Sequence, residues 1–336
     1  MARSRRFMLL FLLVLVALGG LGTKCGPPPG LMRVDADGDG LASSADVALV
    51  TSCQGIDPVQ SPGCAPADVD RDGSITAADL VPVQQSVGSP VCNEFVELCD
   101  QRVDDVIFAT AHNSYSSVDA GYQENLSANH YITTLAQLES GYRGLMLDVM
   151  RWDDPDVPGG ETLHLCHTIC PGLFGSRDLV EALVELKGFL DSRPGEVVVL
   201  LFEHIDPPDE FIPRVGPDIT PAELEAAFAA AGLLPASPEL RHYAHTPGTA
   251  WPTLGELVAA NTRLIVFNQD GSDPAIPFYH YMWAQLVWDT PFSNTVLADF
   301  DCSLGRGSTS NDLFILNHFL NGQFTVQADL AALANP

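Results

Sequence analysis

The residues of this chain that could do chemistry sit where apolar runs stop. The run VIFATA ends on His112-Asn113, GLMLDVM carries Asp148, TLHLC contains His164 and leads to His167, and EVVVLLFEH closes on Glu203-His204. RLIVFNQD and LFILNHF end the same way, on Asn268-Gln269-Asp270 and Asn317-His318, while Arg143 stands just before GLMLDVM. Two imidazoles, a guanidinium and several oxygen donors form a set suited to a phosphodiester. One imidazole takes the proton of an attacking hydroxyl while the other protonates the leaving oxygen. A guanidinium or a cation neutralises charge on the phosphoryl oxygens. A lone histidine carries no such argument; recurrence at one kind of position does.

A second chemistry is written upstream, in DADGDGLASSAD (35–46) and DVDRDGSITAAD (68–79). Each twelve-residue stretch has aspartate at positions 1, 3, 5 and 12: Asp35, Asp37, Asp39 and Asp46, then Asp68, Asp70, Asp72 and Asp79. Alternate side chains of a tight loop converge on one centre, and calcium takes about six to eight oxygens. Gly40 and Gly73, at position 6, permit the sharp turn. Asp46 and Asp79 would close each shell, where an EF-hand uses the longer glutamate. An acidic turn could match once by chance. Two matches, followed by the similar ADVALV and ADLVPV, make calcium binding the expectation.

The elements that would position these residues follow from periodicity. From about residue 91, short continuous apolar runs alternate with helical patterns such as DLVEALVELKGFL and TPAELEAAFAAAG, the latter opening on Thr220, Pro221 and Glu223, a capping signal. Such runs read as parallel strands buried on both faces. Repeated this often, they predict an α/β chain with a TIM-type (β/α) barrel, whose chemistry collects at the C-terminal ends of the strands. Residues 31–90 read as a small α-helical calcium module and 91–336 as the barrel.

The N-terminus reads as an export signal, 1–24: Arg3, Arg5 and Arg6 precede the apolar run FMLLFLLVLVAL and small residues, and CGPPPG begins a linker, 25–30. The run is shorter than the roughly 20 residues of a spanning helix, with an uncleaved anchor as the alternative. Export makes the eight cysteines candidates for disulfides, locally Cys53 with Cys64, Cys92 with Cys99 and Cys166 with Cys170, although spacing alone does not fix connectivity. A net charge of −27 with only two lysines argues against nucleic acid and against an anionic membrane surface.

At this point the residues resemble known families. The duplicated Asp loops look like a dockerin-type repeat, which implies two loop–helix units, structural calcium and a cohesin-type protein partner. The intervening CQGIDPVQSPGC departs from a compact dockerin, and a purely structural module fits the sequence as well. LCDQRVDDVIFATAHNSY, GYRGLMLDVM, LHLCHTIC and FDCSLGRGS…LFILNHFL resemble the phosphatidylinositol-specific phospholipase C X-domain superfamily, in its small secreted branch. That resemblance implies a phosphoric diester hydrolase acting on a phospholipid or glycerophosphodiester. His112 would assist the attacking hydroxyl, His167 would serve the leaving oxygen, and Arg143 would shape the phosphate site. Asn113, Asp148 and Glu203 match the oxygen ligands of calcium-dependent relatives, but Met146 stands where those carry an acid, so a weakly held catalytic calcium is expected. Relatives also continue past LFILNHFL into one more strand, which leads to the expectation of a barrel lacking its last strand. Two other readings compete: a catalytically weak or inactive barrel acting as a calcium-dependent binding or scaffold protein, and a related glycerophosphodiester or sphingolipid phosphodiesterase.

Overall fold

A computed structural model describes residues 32–124, 126–153, 161–166, 170, 174–204, 219–233, 242–269, 276 and 279–320. The expected export segment, the whole linker 25–30, His167 and Asp270 lie outside the described residues.

The first unit is two loop–helix repeats. Helices α1 (Ser44–Cys53) and α2 (Ala77–Ser86) both begin on a capping box, Ser43 with Asp46 and Thr76 with Asp79. The cap hydroxyl and the aspartate carboxylate satisfy donors that a helix start leaves without partners. The repeats enclose a small core that includes Val34, Val50, Val69, Ile75 and Val83. The stretch between them is tied back to α1 by the Cys53–Cys64 disulfide.

The larger unit is α/β. Strands β1 (Thr110–Ala111), β2 (Gly144–Asp153), β5 (Val198–His204), β6 (Leu264–Asn268) and β7 (Tyr279–Tyr281) pair in parallel in that order. A separate parallel pair follows, β8 (Val287–Asp289) with β9 (Leu313–Ile315). Among the described residues the strands do not close into a barrel.

The TLHLC run differs from a parallel strand. β3 (Glu161–Leu165) runs antiparallel to β2 and carries β4 (Arg177–Asp178) on its outer edge. Chain length explains this, because only residues 154–160 separate β2 from β3 and a parallel crossover needs about a dozen or more. The open edge exists because β1 is short: it pairs only with Gly144 and Leu145, leaving the rest of β2 free on that side. Gly144 permits this pairing, since any Cβ there would collide with Thr110 Oγ1.

Alternation then sorts the sheet into two faces. Leu145, Leu147, Val149, Leu200 and Phe202 pack with Leu138 of the short helix α3 (Thr134–Glu139) under α4 (Leu179–Ser192) and α5 (Pro221–Ala230). Helix α4 contributes Leu179, Leu183, Leu186 and Leu190 at helical spacing, and each such buried side chain is worth roughly 1.5–3 kcal/mol. Helix α5 opens on the expected capping box of Thr220 with Glu223. The other face presents Met146, Val199, Leu201, Ile265 and Phe267 to Trp251, to helix α6 (Leu254–Ala259) and to the β8–β9 pair. Asp148 and Glu203 continue the alternation of that second face, one pleat beyond Met146 and Leu201.

The small unit is seated at the opposite end of these strands. Val91 N donates to Gly40 O (2.9 Å), Asn93 N to Gly195 O (3.1 Å) and Val197 N to Asn93 Oδ1 (2.7 Å), just before β5 begins. A Cβ on Gly40 would come within 2.9 Å of Gly195 N, and Gly40 lies at φ +83°, so glycine is required there twice over. Beside this seam Glu94 pairs with Arg33, with Arg71 (3.2 Å) and with Arg143 (3.4 Å).

Candidate active site

The site is built from strand ends. At the end of β1 the chain turns at Asn113, whose φ of +49° is left-handed and is tolerated by asparagine better than by most residues. That turn directs Asn113 and Tyr115 toward β2. With its nitrogen facing inward, the Asn113 amide donates to Asp148 Oδ2 at 2.9 Å and Oδ1 at 3.1 Å. The Tyr115 hydroxyl donates to Asp148 Oδ2 at 3.0 Å from a fully buried ring. Asp148 is register partner to Glu203 on β5, so two carboxylates stand side by side at the same level. Burial first, then the charge of Glu203, push the Asp148 carboxyl well above the usual carboxylate range, against the lowering effect of Tyr115. Burial and Asp148 likewise push the Tyr115 phenol up, so it remains a donor.

From Glu203 the contacts run on around the mouth. Gln269 follows β6, its N–H donating to Phe202 O (3.1 Å), and its Oε1 accepts from Arg306 Nη1 (3.0 Å). Arg306 donates through Nη2 (2.7 Å) and Nε (3.0 Å) to Asp289 Oδ2 at the end of β8. Asn317, beyond β9, donates to the same oxygen at 3.0 Å. Two residues later Phe319 stacks on His112, ring centroids 4.6 Å apart, and His112 is followed by Asn113. Side-chain contacts, strand register and chain neighbours together therefore link strand ends that the backbone ladder leaves apart. The ends of β1, β2, β5, β6, β8 and β9 all meet at one mouth.

Such a mouth can hold a cation. The Asn113 amide can also turn its oxygen to Asp148, bringing three oxygens together beside Glu203 in an arrangement that a cation, or a proton on Asp148, stabilises. Asn113, Asp148 and Glu203 fit a calcium in donor chemistry. Met146, on the same face as Asp148, packs instead with the apolar core.

A profile of the PI-PLC X family, described as PI-PLC X 1, matches residues 98–328. The chain belongs to the PI-PLC X family. A PI-PLC X domain-containing protein 1 of Arthroderma benhamiae is 30% identical over 239 residues, covering 69% of each chain. An uncharacterized secreted protein of the same fungus is 24% identical over 267 residues, 76% of this chain and 53% of that one. A phosphatidylinositol-specific phospholipase C structure from Staphylococcus aureus aligns at TM-score 0.36 and 16% identity, covering 53% of this chain and 52% of that one. The chain thus spans about half the length of the last two. Residues 33–88 match the dockerin type I domain.

Within the PI-PLC X part, the expected residues divide. Asn113, Asp148 and Glu203 are brought together, and His112 precedes Asn113 with its ring stacked on Phe319. His167 lies outside the described residues; its neighbour Cys166 donates from N to Asp148 O (3.3 Å), and the Cys166–Cys170 disulfide closes the short loop that contains it. His164 instead faces Thr162 Oγ1 at 2.8 Å within β3.

Arg143 is corrected. It precedes β2, about 16 Å of strand from Asp148 at roughly 3.3 Å per residue. Its buried guanidinium bonds Glu196 (2.5 Å), Leu138 O (2.5 Å), Tyr142 O (2.8 Å) and Glu94, and lies against the Phe189 ring. It anchors the seam with the small unit and leaves the site without the expected guanidinium. Tyr115, Gln269, Asp289 and Arg306 were not assigned roles from sequence, although Tyr115 lies inside the HNSY run.

In the dockerin part, Asp35, Asp37 and Asp39 bring ligand atoms within 4.8 Å of one another, as do Asp68, Asp70 and Asp79. Burial, then Asp46, pushes Asp35 up to about 6, and burial also raises Asp37, Asp68 and Asp70. These donor sets fit calcium. Asp46 and Asp79 do more than close a shell. Asp46 accepts from Ala36 N (2.7 Å), Asp37 N (3.0 Å) and Ser43 N (2.7 Å), and Asp79 from Val69 N (2.7 Å), Asp70 N (3.2 Å) and Thr76 N (2.7 Å). Each pins loop to helix. Asp39 lies in the first group, whereas its counterpart Asp72 is outside the second.

All three local disulfide candidates form: Cys53–Cys64, Cys92–Cys99 and Cys166–Cys170. Cys302 is exposed and has no disulfide partner among the described residues. No helix of the described residues is long and apolar enough to cross a membrane.

Proposed function

We propose that this chain is an exported phosphoric diester hydrolase that cleaves a phospholipid or glycerophosphodiester by two-histidine acid–base catalysis. The observation that carries the reading is the Asn113 amide on Asp148, whose register partner is Glu203, at the C-terminal ends of parallel strands, with His112 next to Asn113 in the chain. His112 takes the proton of the attacking hydroxyl and His167 gives one to the leaving oxygen, reached through a loop closed by Cys166–Cys170. Phe319 orients the His112 ring by stacking, and Tyr115 with Asn113 fixes Asp148. Asn113, Asp148 and Glu203 would hold a calcium, which when bound neutralises negative charge on the phosphoryl group. The scaffold is of the TIM-barrel type. The small unit, residues 31–90, holds structural calcium in its two loops and is the part that a cohesin-type partner would grip.

The test is phosphorus NMR of signal-free full chain with phosphatidylinositol, with and without calcium, beside His112→Ala. A cyclic or hydrolysed inositol phosphate that disappears in the variant supports the reading. Absence of product from folded, calcium-loaded protein refutes it.

A further inference from the structure

We propose that Arg306 is the guanidinium that meets the phosphoryl oxygens at this mouth, the role that the sequence resemblance gave to Arg143. The inference rests on the phosphodiesterase reading above and adds to it a binding residue.

A diester anion entering beside Asp148 and Glu203 meets two carboxyl groups whose charge a bound calcium would offset on that side alone, so a guanidinium on the facing rim is what would complete the anion's surroundings. Among the described residues, the other arginines near this end of the sheet, Arg151 and Arg177, are committed elsewhere. Arg151 leaves from the opposite face of β2 and forks onto Glu223 of α5 (2.6 and 3.0 Å). Arg177 pairs with Glu185 of α4 at 3.1 Å. Arg306 alone among these sits in the circuit of mouth residues, one side chain from Gln269, which is next in register to Glu203.

Its geometry is that of a prepared donor. Trp283 and Phe292 lie against the guanidinium at 4.2 and 4.5 Å, which fixes its plane. Of its five N–H groups, Nε and one on Nη2 go to Asp289 and one on Nη1 goes to Gln269. One N–H remains on each terminal nitrogen, the complement that a phosphate takes in bidentate fashion. The side chain is 29% exposed although its Asp289 partner is fully buried, so the ion pair is anchored on the inside and open on the outside.

The competing account is that Arg306 only fastens the 291–312 loop by neutralising Asp289. The two accounts differ in sign. If the pair is merely a fastener, Arg306→Lys and Asp289→Asn break it equally and any effect on anions runs in parallel. If Arg306 receives the diester, removing the carboxylate leaves the guanidinium less compensated, and Asp289→Asn binds an anion as well as or better than the parent.

The experiment titrates dimethyl phosphate, a diester anion that stays soluble beside calcium, into the calcium-loaded full chain by calorimetry. Thermal melts run in parallel, and Gln269→Ala serves as a further variant that changes no charge. Arg306→Lys is expected to weaken dimethyl phosphate at least tenfold, and to lower kcat/KM on phosphatidylinositol about 10²-fold, the scale of losing one transition-state donor. Asp289→Asn is expected to bind no more weakly than the parent, at a melting temperature similar to that of Arg306→Lys. Unchanged binding in Arg306→Lys, or parallel losses in both variants, overturns the proposal while leaving the phosphodiesterase reading standing if the parent turns over phosphatidylinositol. A parent protein that neither binds dimethyl phosphate nor turns over phosphatidylinositol overturns both.

Discussion

Replacing Asp148 by asparagine is expected to stabilise the calcium-free protein while removing its activity. Asp148 and Glu203 face each other in register on adjacent parallel strands, about 4.8 Å apart at the backbone. Two unit charges at about 5 Å in an effective dielectric near 20 repel by about 3 kcal/mol. Part of that is already relieved, because burial and Glu203 hold the Asp148 carboxyl well above its ordinary range and favour its protonated form. Asparagine also gives up one of the two acceptors that meet the Asn113 amide, at a cost of about 1 kcal/mol. The balance is a gain of about 1–2 kcal/mol, or roughly 2–8 °C in melting temperature for a unit of this size. Scanning calorimetry of both proteins in EDTA measures the difference, and the dockerin-type loops, empty in both, cancel. Repeating the scans in millimolar calcium should reverse the order, since the parent gains a ligand that the variant lacks. A variant that melts below the parent in EDTA would show that the carboxylate is held by its donors and is not strained by its neighbour, and the argument for a cation there would fall with it.

Other outcomes follow from the same structure. Arg143→Met should leave buried Glu196 without its partner, while Glu94 keeps Arg33 and Arg71, and cost about 3–5 kcal/mol of stability, seen in denaturant melts, while KM for the surviving folded fraction stays put. His242 is buried, which lowers its pKa to about 3, and burial also lowers His245 and His280. A depressed folded pKa means that this stability is complete above the unfolded value near 6.5 and drains away as the pH falls. At pH 5 His242 alone should cost about 2 kcal/mol, which urea melts at pH 7 and pH 5 would register, and His242→Phe should flatten the dependence. Asp35 works through ligand affinity: with its carboxyl near 6, calcium must displace a proton, so calorimetry should find the first loop about tenfold weaker at pH 5 than at pH 7.

What could be read from the sequence was set by local pattern. His112 and Asp148 were visible because a buried run that ends on polar residues has few explanations other than a rim, and the Asp loops were visible because their ligands are contiguous. Arg143 carried its own warning. It precedes the apolar run that Asp148 interrupts, so it had to lie at the other end of the same strand, and only the family likeness drew it to the site. The antiparallel turn of β3 was implicit in the short gap before it. Arg306 had only a weak signal: it lies inside the FDCSLGRGS stretch that carries the family likeness, but that segment is irregular, and its partners Gln269 and Asp289 reach it only through folding. The same holds for Glu94, which no pattern connects to Arg33, Arg71 and Arg143.

The seam at Gly40, Gly195 and Glu94 gives the molecule a front and a back. The dockerin-type unit is fixed to the end of the sheet from which the strands depart, and the mouth opens at the end where they arrive. A partner that gripped the small unit would therefore hold this protein from behind, with the mouth facing outward. A tether of that kind would orient a catalyst toward a surface without standing between the two.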